Sequence, residues 1–152
     1  MMDESLRELY QEVILDHSRH PRHFGELANA NRVGEGHNPL CGDRVKVYLV
    51  VDDAGRIAAV SFQGRGCAIS QASASLMTDL IKGRTIAEAE RLMGGFLHLV
   101  KGEDAADIAP ADREHLDVMA GVSAFPMRVK CATLAWHTMK SALEDGEVAK
   151  SE

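Results

Sequence analysis

The sequence predicts an α+β fold in which a small three-stranded antiparallel sheet is covered by helices. Two stretches with alternating apolar residues, 44–51 and 56–63, are separated by a short turn that ends in Gly55, a pattern typical of an antiparallel hairpin. A possible third strand, 33–38, precedes them, and most of the remaining chain shows the apolar spacing of helices. Three strands need a covering layer to be stable, so we expect the helices to provide it.

The hairpin strands are expected to bury one face. Val45, Val47 and Leu49 alternate with the polar Arg44 and Lys46, and successive side chains of a strand point to opposite sides of the sheet. The second strand repeats this alternation. Both strands are therefore predicted to be half-buried.

Five helical segments are expected from apolar spacing. The first covers residues 4–17 and ends before Pro21, and the last begins at Pro126, a residue suited to a first helical turn. Ser70 and Thr85 are candidate N-caps of the second and third helices. Residues 102–121 are rich in alanine and acidic residues, with a short helix over 112–119, and we interpret them as a surface excursion.

Length and composition indicate one domain, which we place at residues 1–146 and expect to be followed by a flexible tail over 147–152. A chain of 152 residues can bury enough surface for one core without disulfides. The net charge of -6 and the lack of a basic stripe argue against nucleic acid as a partner. The acidic N-terminus and the lack of a long apolar run predict a cytoplasmic protein without a membrane span.

The three cysteines are predicted to lie at the ends of secondary-structure elements. Cys41 lies in a turn before a strand, Cys67 at a strand-to-helix turn, and Cys131 in the opening turn of a helix. Free N–H groups at helix starts stabilise thiolates, so Cys67 and Cys131 are positioned to ionise. Their spacings match no zinc-finger pattern, and three structural cysteines therefore remain an alternative to metal ligands.

Asp43, two residues after Cys41, gives the metal interpretation its main support. Three thiolates and a carboxylate complete a four-coordinate zinc site, and Gly42 allows close approach of the backbone. These ligands carry more negative charge than a divalent ion balances, so a nearby cation would stabilise the site. Arg128, three residues before Cys131, is best placed, although a solvent-facing arginine is an equally good interpretation. The other candidate cations are Arg65 and Lys130.

Three motifs resemble those of the NifU N-terminal or IscU-like family of iron-sulfur assembly proteins, most closely its SufU branch. They read Asn-Pro-Leu-Cys-Gly-Asp over 38–43, Gly-Cys-Ala-Ile-Ser over 66–70, and Arg-Val-Lys-Cys-Ala-Thr-Leu-Ala-Trp over 128–136. The resemblance covers nearly the whole chain. Lys130 replaces the histidine that scaffold members carry before the third cysteine, and residues 102–121 resemble the insertion that marks SufU proteins.

The resemblance implies an IscU/SufU-like sandwich with a zinc site formed by Cys41, Asp43, Cys67 and Cys131. It also implies a sulfurtransferase in which Cys41 accepts persulfide sulfur from a SufS-type cysteine desulfurase and supplies downstream iron-sulfur assembly proteins. A zinc-bound thiolate is a poorer nucleophile. We therefore expect docking to free Cys41 while a partner side chain such as a histidine replaces it.

Three other functions remain open. The same ligands could hold a [2Fe-2S] cluster on a scaffold that passes it to apo-proteins, or the zinc could be purely structural in a partner-binding module. A hydrolase using Cys41 and His37 is disfavoured. The sequence shows neither a recognisable oxyanion-binding element nor a third residue that would orient the histidine. A separate cluster of histidines (His17, His20 and His23) could bind metal, but the arginines between them favour a solvated basic turn.

Overall fold

The computed structural model describes residues 4–39, 42–104, 108–144 and 148–150. The helices are α1 (Glu4–Arg19), α2 (Ala68–Ile81), α3 (Ile86–Val100), α4 (Pro110–Leu116) and α5 (Pro126–Glu144), with a 3₁₀ helix (Asp117–Ala124) between α4 and α5. The strands are β1 (Arg32–Asn38), β2 (Asp43–Val51), β3 (Ile57–Arg65) and β4 (Val148–Lys150).

The predicted three-stranded antiparallel sheet is confirmed. β2 lies between β3 and β1 and is antiparallel to both, with Val47 opposite Phe62 and Tyr48 opposite Val33. The short β4 pairs parallel to β1 at the edge of the sheet. Because the rest of the predicted tail lies outside the described residues, the flexibility of that tail stays a prediction, as does the domain boundary.

The core lies between one face of the sheet and the helices, with α5 packed across β1 and β2. A Cβ on Gly34 would lie 2.5 Å from the carbonyl oxygen of Thr138, so this glycine allows α5 to approach β1 closely. Trp136 of α5 is fully buried and stacks on Phe96 of α3, with ring centroids 4.8 Å apart. Trp136 is therefore a core residue.

Two expectations about helix starts have different outcomes. Thr85 forms the predicted N-cap, because its hydroxyl accepts the N–H of Glu88 while the Glu88 carboxylate accepts the N–H of Thr85. Ser70 is not the N-cap of α2. That helix begins three residues earlier than expected, with Cys67 at the N-cap position and Ser70 buried in the first turn.

The interpretation of residues 102–121 as a surface excursion is wrong. Ile108, Leu116 and Met119 are buried and belong to the main core. Ile108 occupies the space beside Gly95 of α3, where a Cβ would overlap the Ile108 side chain. The segment therefore contributes apolar burial that stabilises the domain.

Among the described residues, the structure contains no helix that is both long and apolar enough to cross a membrane.

Candidate metal centre

Three of the four predicted ligands come together at one corner of the sheet. Asp43 begins β2, Cys67 caps α2, and Cys131 lies in α5. One ligand atom from each of these residues lies within 4.8 Å of the other two. The chain thus brings residues separated by 24 and 64 positions to a single point.

The Asp43 carboxylate is buried and fixed in place. The residue is 3% exposed, and its Oδ1 atom accepts a hydrogen bond from the Cys67 backbone N–H at 3.2 Å. A Cβ on Gly66 would lie 2.8 Å from the same oxygen, so the carboxylate and the chain before α2 fit together only because residue 66 is glycine. This role of Gly66 could have been suspected from the Gly-Cys pair, but only the structure shows what approaches it.

Cys67 occupies the N-cap of α2 without capping the helix by its side chain. Its backbone is extended, with φ of -70° and ψ of 170°, and the thiol makes no hydrogen bond to the first-turn N–H groups. The Sγ atom instead lies 3.9 Å from Oδ2 of Asp43, and the residue is half-buried. The thiol therefore points towards the candidate ligands and remains close to the positive end of α2.

Cys131 is not in the opening turn of its helix, which corrects the expectation from the sequence. It is the sixth residue of α5 and is 1% exposed, with its Sγ atom 3.8 Å from the carbonyl oxygen of Met127. Because the effect of the helix dipole fades beyond the first turn, the start of α5 does less for this thiolate than the sequence suggested.

Arg128 supplies positive charge at this point. The negative charge of the Cys67 thiolate, followed by side-chain hydrogen bonding to Cys131 and the charge of the Cys131 thiolate, raises the pKa of Arg128 above its usual value. Three cations were candidates from the sequence. The structure places Arg128 against both described thiols.

The donor set fits a zinc ion. Tetrahedral zinc, with bonds of about 2.3 Å to sulfur and about 2.1 Å to oxygen, places its donor atoms about 3.5–3.8 Å apart. The Cys67 Sγ and Asp43 Oδ2 atoms are 3.9 Å apart, and all three donors lie within 4.8 Å of one another. Side-chain movements of an ångström or less would complete three corners of the tetrahedron.

Cys41, the fourth predicted ligand, lies outside the described residues, and its place in the site stays a prediction. The flanking Gly42 donates its N–H to the carbonyl of Asn38 at 2.8 Å and has a positive φ of 78°. This backbone hydrogen bond links the end of β1 to the residue directly before the buried Asp43.

The model of the NifU-like N-terminal domain family matches residues 9–150. The chain belongs to this family. It is 41% identical over 148 residues to the zinc-dependent sulfurtransferase SufU of Bacillus subtilis, an alignment that covers 97% of this chain and 95% of that relative. It is 39% identical over 141 residues to the iron-sulfur cluster assembly scaffold protein IscU of Streptococcus pyogenes, covering 91% and 85% of the two chains.

A solved structure confirms the IscU/SufU-like fold. A proposed iron-sulfur cluster assembly scaffold protein for the SUF system, from Fervidobacterium islandicum, matches with a TM-score of 0.77 and 38% identity. The match covers 91% of this chain and 98% of that chain. One of these family members is named as a sulfurtransferase and the other two as scaffold proteins. Sequence similarity alone therefore does not distinguish between the two activities.

The histidines before β1 serve structural contacts rather than forming a second metal cluster with one another. The ring Nδ1 of His17 is 2.7 Å from the Ser75 hydroxyl in a buried contact between α1 and α2. The ring Nε2 of His23 is 3.1 Å from the Asp79 carboxylate. His17 is therefore a buried contact between two helices and not part of a solvated basic turn.

A groove beside the candidate ligands was not predicted. It has a volume of about 490 Å³ and lies between α1, the 3₁₀ helix and the start of α5. Arg128 is the only charged side chain among the described residues that line it. Apolar spacing does not reveal such a groove, because the residues that line it come from three separate stretches of the chain: 10–14, 69 and 118–128. Its apolar lining includes Ile14, Ile69, Val118, Val122 and Phe125.

Proposed function

We propose that this protein is a zinc-dependent sulfurtransferase of iron-sulfur cluster assembly, which accepts persulfide sulfur on Cys41 from a SufS-type cysteine desulfurase. The observation that carries the proposal is the convergence of the buried Asp43 carboxylate with the Cys67 and Cys131 thiols. A carboxylate and thiols together suit zinc, a borderline-soft ion that takes both oxygen and sulfur ligands.

The proposed resting ligands are Asp43, Cys67, Cys131 and Cys41. The first three come from β2, α2 and α5, elements that the core holds in fixed positions. Cys41 is joined to Asp43 through Gly42 alone, so chain connectivity keeps it near the other ligands. Bound zinc would favour the thiolate forms of the cysteines at neutral pH.

The transfer step is a thiol–persulfide exchange. The Cys41 thiolate attacks the outer sulfur of the desulfurase persulfide, and a new S–S bond forms on Cys41. The S–S bond of the donor breaks, and the desulfurase cysteine leaves as a thiolate. No net oxidation or reduction occurs. Asp43, Cys67 and Cys131 would hold the metal while Cys41 carries the sulfur to downstream assembly proteins.

Support for the SufU type of activity comes from the position before the third cysteine. Lys130 occupies that position, and an ammonium group is not a metal ligand in its usual charged form. The Bacillus subtilis relative named as a zinc-dependent sulfurtransferase matches 97% of this chain.

A cluster scaffold is the second candidate, and a specific observation favours it. The Streptococcus pyogenes relative is named as an iron-sulfur cluster assembly scaffold and is 39% identical. Cysteine thiolates are also the usual ligands of [2Fe-2S] clusters. Metal analysis after anaerobic purification separates the two candidates. One zinc per chain and no colour support the sulfurtransferase, whereas a coloured protein with iron, sulfide and little zinc supports the scaffold.

The test of the proposed function measures desulfurase turnover with and without the protein. The wild-type protein is expected to raise turnover, and Cys41→Ala is expected to retain zinc and the fold but to accept no sulfur. His37→Ala is a matched control from β1, which should raise desulfurase turnover as the wild type does. An effect of Cys41→Ala equal to the wild-type effect would contradict the proposal.

A further inference from the structure

The candidate metal centre gathers more negative charge than one divalent ion balances. Asp43, Cys67 and Cys131 bind a metal as one carboxylate and two thiolates, so these three alone leave one excess negative charge beside a divalent ion. Asp43 is 3% and Cys131 1% exposed, so water solvates the excess charge poorly. The protein must supply a compensating positive group.

Backbone groups provide that compensation at only one of the two cysteines. Cys67 lies at the N-cap of α2, beside N–H groups that have no partner within the helix. Cys131 is the sixth residue of α5, where its own N–H lies inside the helical hydrogen-bond ladder. A side chain is therefore needed on the α5 side of the site.

Arg128 lies on that side and faces both sulfurs. It is one turn before Cys131 in α5, and it lies close enough to the Cys67 and Cys131 thiols for both to raise its pKa. A planar guanidinium presents several N–H donors in a fixed fork, so one arginine can serve two thiolates together. Arg128 also lines the groove together with Ile69, two residues after Cys67, so it lies near the start of α2 as well as in α5.

We infer that Arg128 is a positioning residue of the metal centre, balancing its excess negative charge and holding the Cys67 and Cys131 sulfurs in the orientation that binds the ion. This inference rests on the proposed metal site and goes beyond it by assigning a role to a residue outside the ligand set. Arg128 is not itself a ligand of the ion. It acts by contacting the cysteines that would bind the ion.

The size of the effect follows from the exposure of Arg128. Loss of a group that hydrogen-bonds to metal ligands typically weakens metal affinity about 10- to 100-fold. The Arg128 side chain is exposed, so water competes for its charge and the lower end of that range applies. We expect Arg128→Gln to weaken zinc binding about tenfold. Lysine keeps the charge without the fork, so Arg128→Lys should recover part of this loss.

The test is zinc competition with a chromophoric chelator of known affinity, performed on the full chain at one pH and ionic strength. Arg128→Gln and Arg128→Lys are compared with Lys130→Gln and Arg65→Gln, which remove one positive charge each from nearby positions in α5 and β3. Thermal unfolding of every variant in excess chelator measures stability without metal. We expect less than about a twofold change in zinc affinity for both controls, as for solvent-screened charges.

Each outcome decides the inference. Equal zinc affinities of Arg128→Gln and Lys130→Gln would overturn it, as would a loss that Arg128→Lys does not reduce or that follows a lower stability without metal. Normal zinc affinity with lost desulfurase activation would also overturn it, because Arg128 would then act in partner contact. Selective zinc loss, partly restored by lysine, supports it. If zinc binding follows this pattern but the protein does not affect the desulfurase, the proposed function fails while the inference stands.

Discussion

The start of α2 and the start of α5 each contribute a cysteine to the same site, but they stabilise it by different means. Cys67 lies at the helix N-cap, close to first-turn N–H groups that have no partner within the helix. Cys131 lies a full turn further along its helix and is buried, and a side chain, Arg128, supplies the positive charge.

This difference shows that a cysteine near a helix start can acquire its environment in two ways. At α2 the positive end of the helix backbone stabilises the cysteine, and no single side-chain substitution removes it. At α5 the Arg128 guanidinium does so, and one substitution removes it. Asp43 belongs to both regions, because its carboxylate accepts the Cys67 N–H and lies within 4.8 Å of a ligand atom on either cysteine. Variants at the junction should therefore have the largest effects, and variants within one region smaller ones.

Asp43→Asn is expected to have the largest effect, because it removes a charged ligand from the point where the two regions meet. The asparagine oxygen can still accept the Cys67 N–H, so the start of α2 should stay in place. We expect zinc affinity to fall by more than about 100-fold, since losing even a group behind the ligands costs about 10- to 100-fold. Chelator competition measures this change.

The matched control for Asp43→Asn is Asp52→Asn, which removes one carboxylate charge from the exposed turn between β2 and β3. It should leave zinc affinity unchanged. Retained zinc affinity in Asp43→Asn would show that the site depends on its cysteines alone.

Gly66→Ala tests the α2 side of the junction without removing any ligand. The new methyl group would lie 2.8 Å from Oδ1 of Asp43 and 3.1 Å from the Cβ of Ser70, so the carboxylate or the start of α2 must move. We expect zinc affinity to fall about tenfold, as for other displaced ligands.

Gly94→Ala is the matched glycine control for Gly66→Ala. A Cβ there meets nothing within 4 Å, and a glycine inside α3 lowers helix stability. This control should raise the free energy of unfolding by about 0.5–1 kcal/mol and leave zinc affinity unchanged. Equal zinc affinities for the two glycine variants would mean that Asp43 adjusts freely.

Much of the fold could be predicted from the sequence because its signals are local. Alternation of apolar residues gave the strands of the hairpin within about two residues, and the Thr85–Glu88 pair indicated the start of α3. The burial of Ile108 could not be predicted in this way. It depends on a gap at Gly95, which is distant in sequence and visible only once α3 and the following segment have packed together.

The candidate site was predicted in composition but not in detail. The pairing of Asp43 with cysteines followed from residue chemistry, whereas the choice among the candidate cations depended on which side of α5 faces the site. The environment of Cys131 was misjudged for a similar reason. Pro126 indicated where α5 begins, but Cys131 follows it by five residues. With 3.6 residues per turn, Cys131 therefore lies beyond the first turn.

Serine substitutions at the two cysteines should change stability in opposite directions when metal is absent. In Cys67→Ser the hydroxyl occupies an N-cap position and can accept the N–H of Ser70, which should raise the free energy of unfolding by about 0.5–1 kcal/mol. In Cys131→Ser a hydroxyl replaces a buried thiol and should lower it by about 1 kcal/mol, although a bond to the Met127 carbonyl reduces the loss.

Urea unfolding of both serine variants in excess chelator measures this difference. Both variants lose a proposed ligand, so zinc affinity should fall in each and serves as the common control. Shifts of the same sign in metal-free stability would contradict the distinction between a helix-cap cysteine and a buried helical cysteine.

The pH dependence of stability gives the smallest expected effect and separates the α2 region from the α5 region. The His17 ring contacts the Ser75 hydroxyl of α2, and burial, followed by the nearby charge of Arg22, lowers the pKa of His17 below its usual value. The unfolded chain therefore binds a proton at a higher pH than the folded chain. The stabilisation that comes from neutral His17 is complete above the unfolded pKa of about 6.5 and is lost as the pH falls below it.

His17→Gln should flatten this part of the pH profile by at most one proton. His98→Gln removes an exposed histidine of α3 and is the matched control against which the His17→Gln profile is compared. The readout is the free energy of unfolding between pH 5 and pH 8 in excess chelator, which removes the competing titration of metal ligands. If α2 depends on His17 while α5 is independent of it, acid should first increase hydrogen exchange along α1 and α2. If hydrogen exchange along α5 increases equally and at the same time, the two sides of the site unfold as one unit. The two helices would then differ only in the charges near their cysteines.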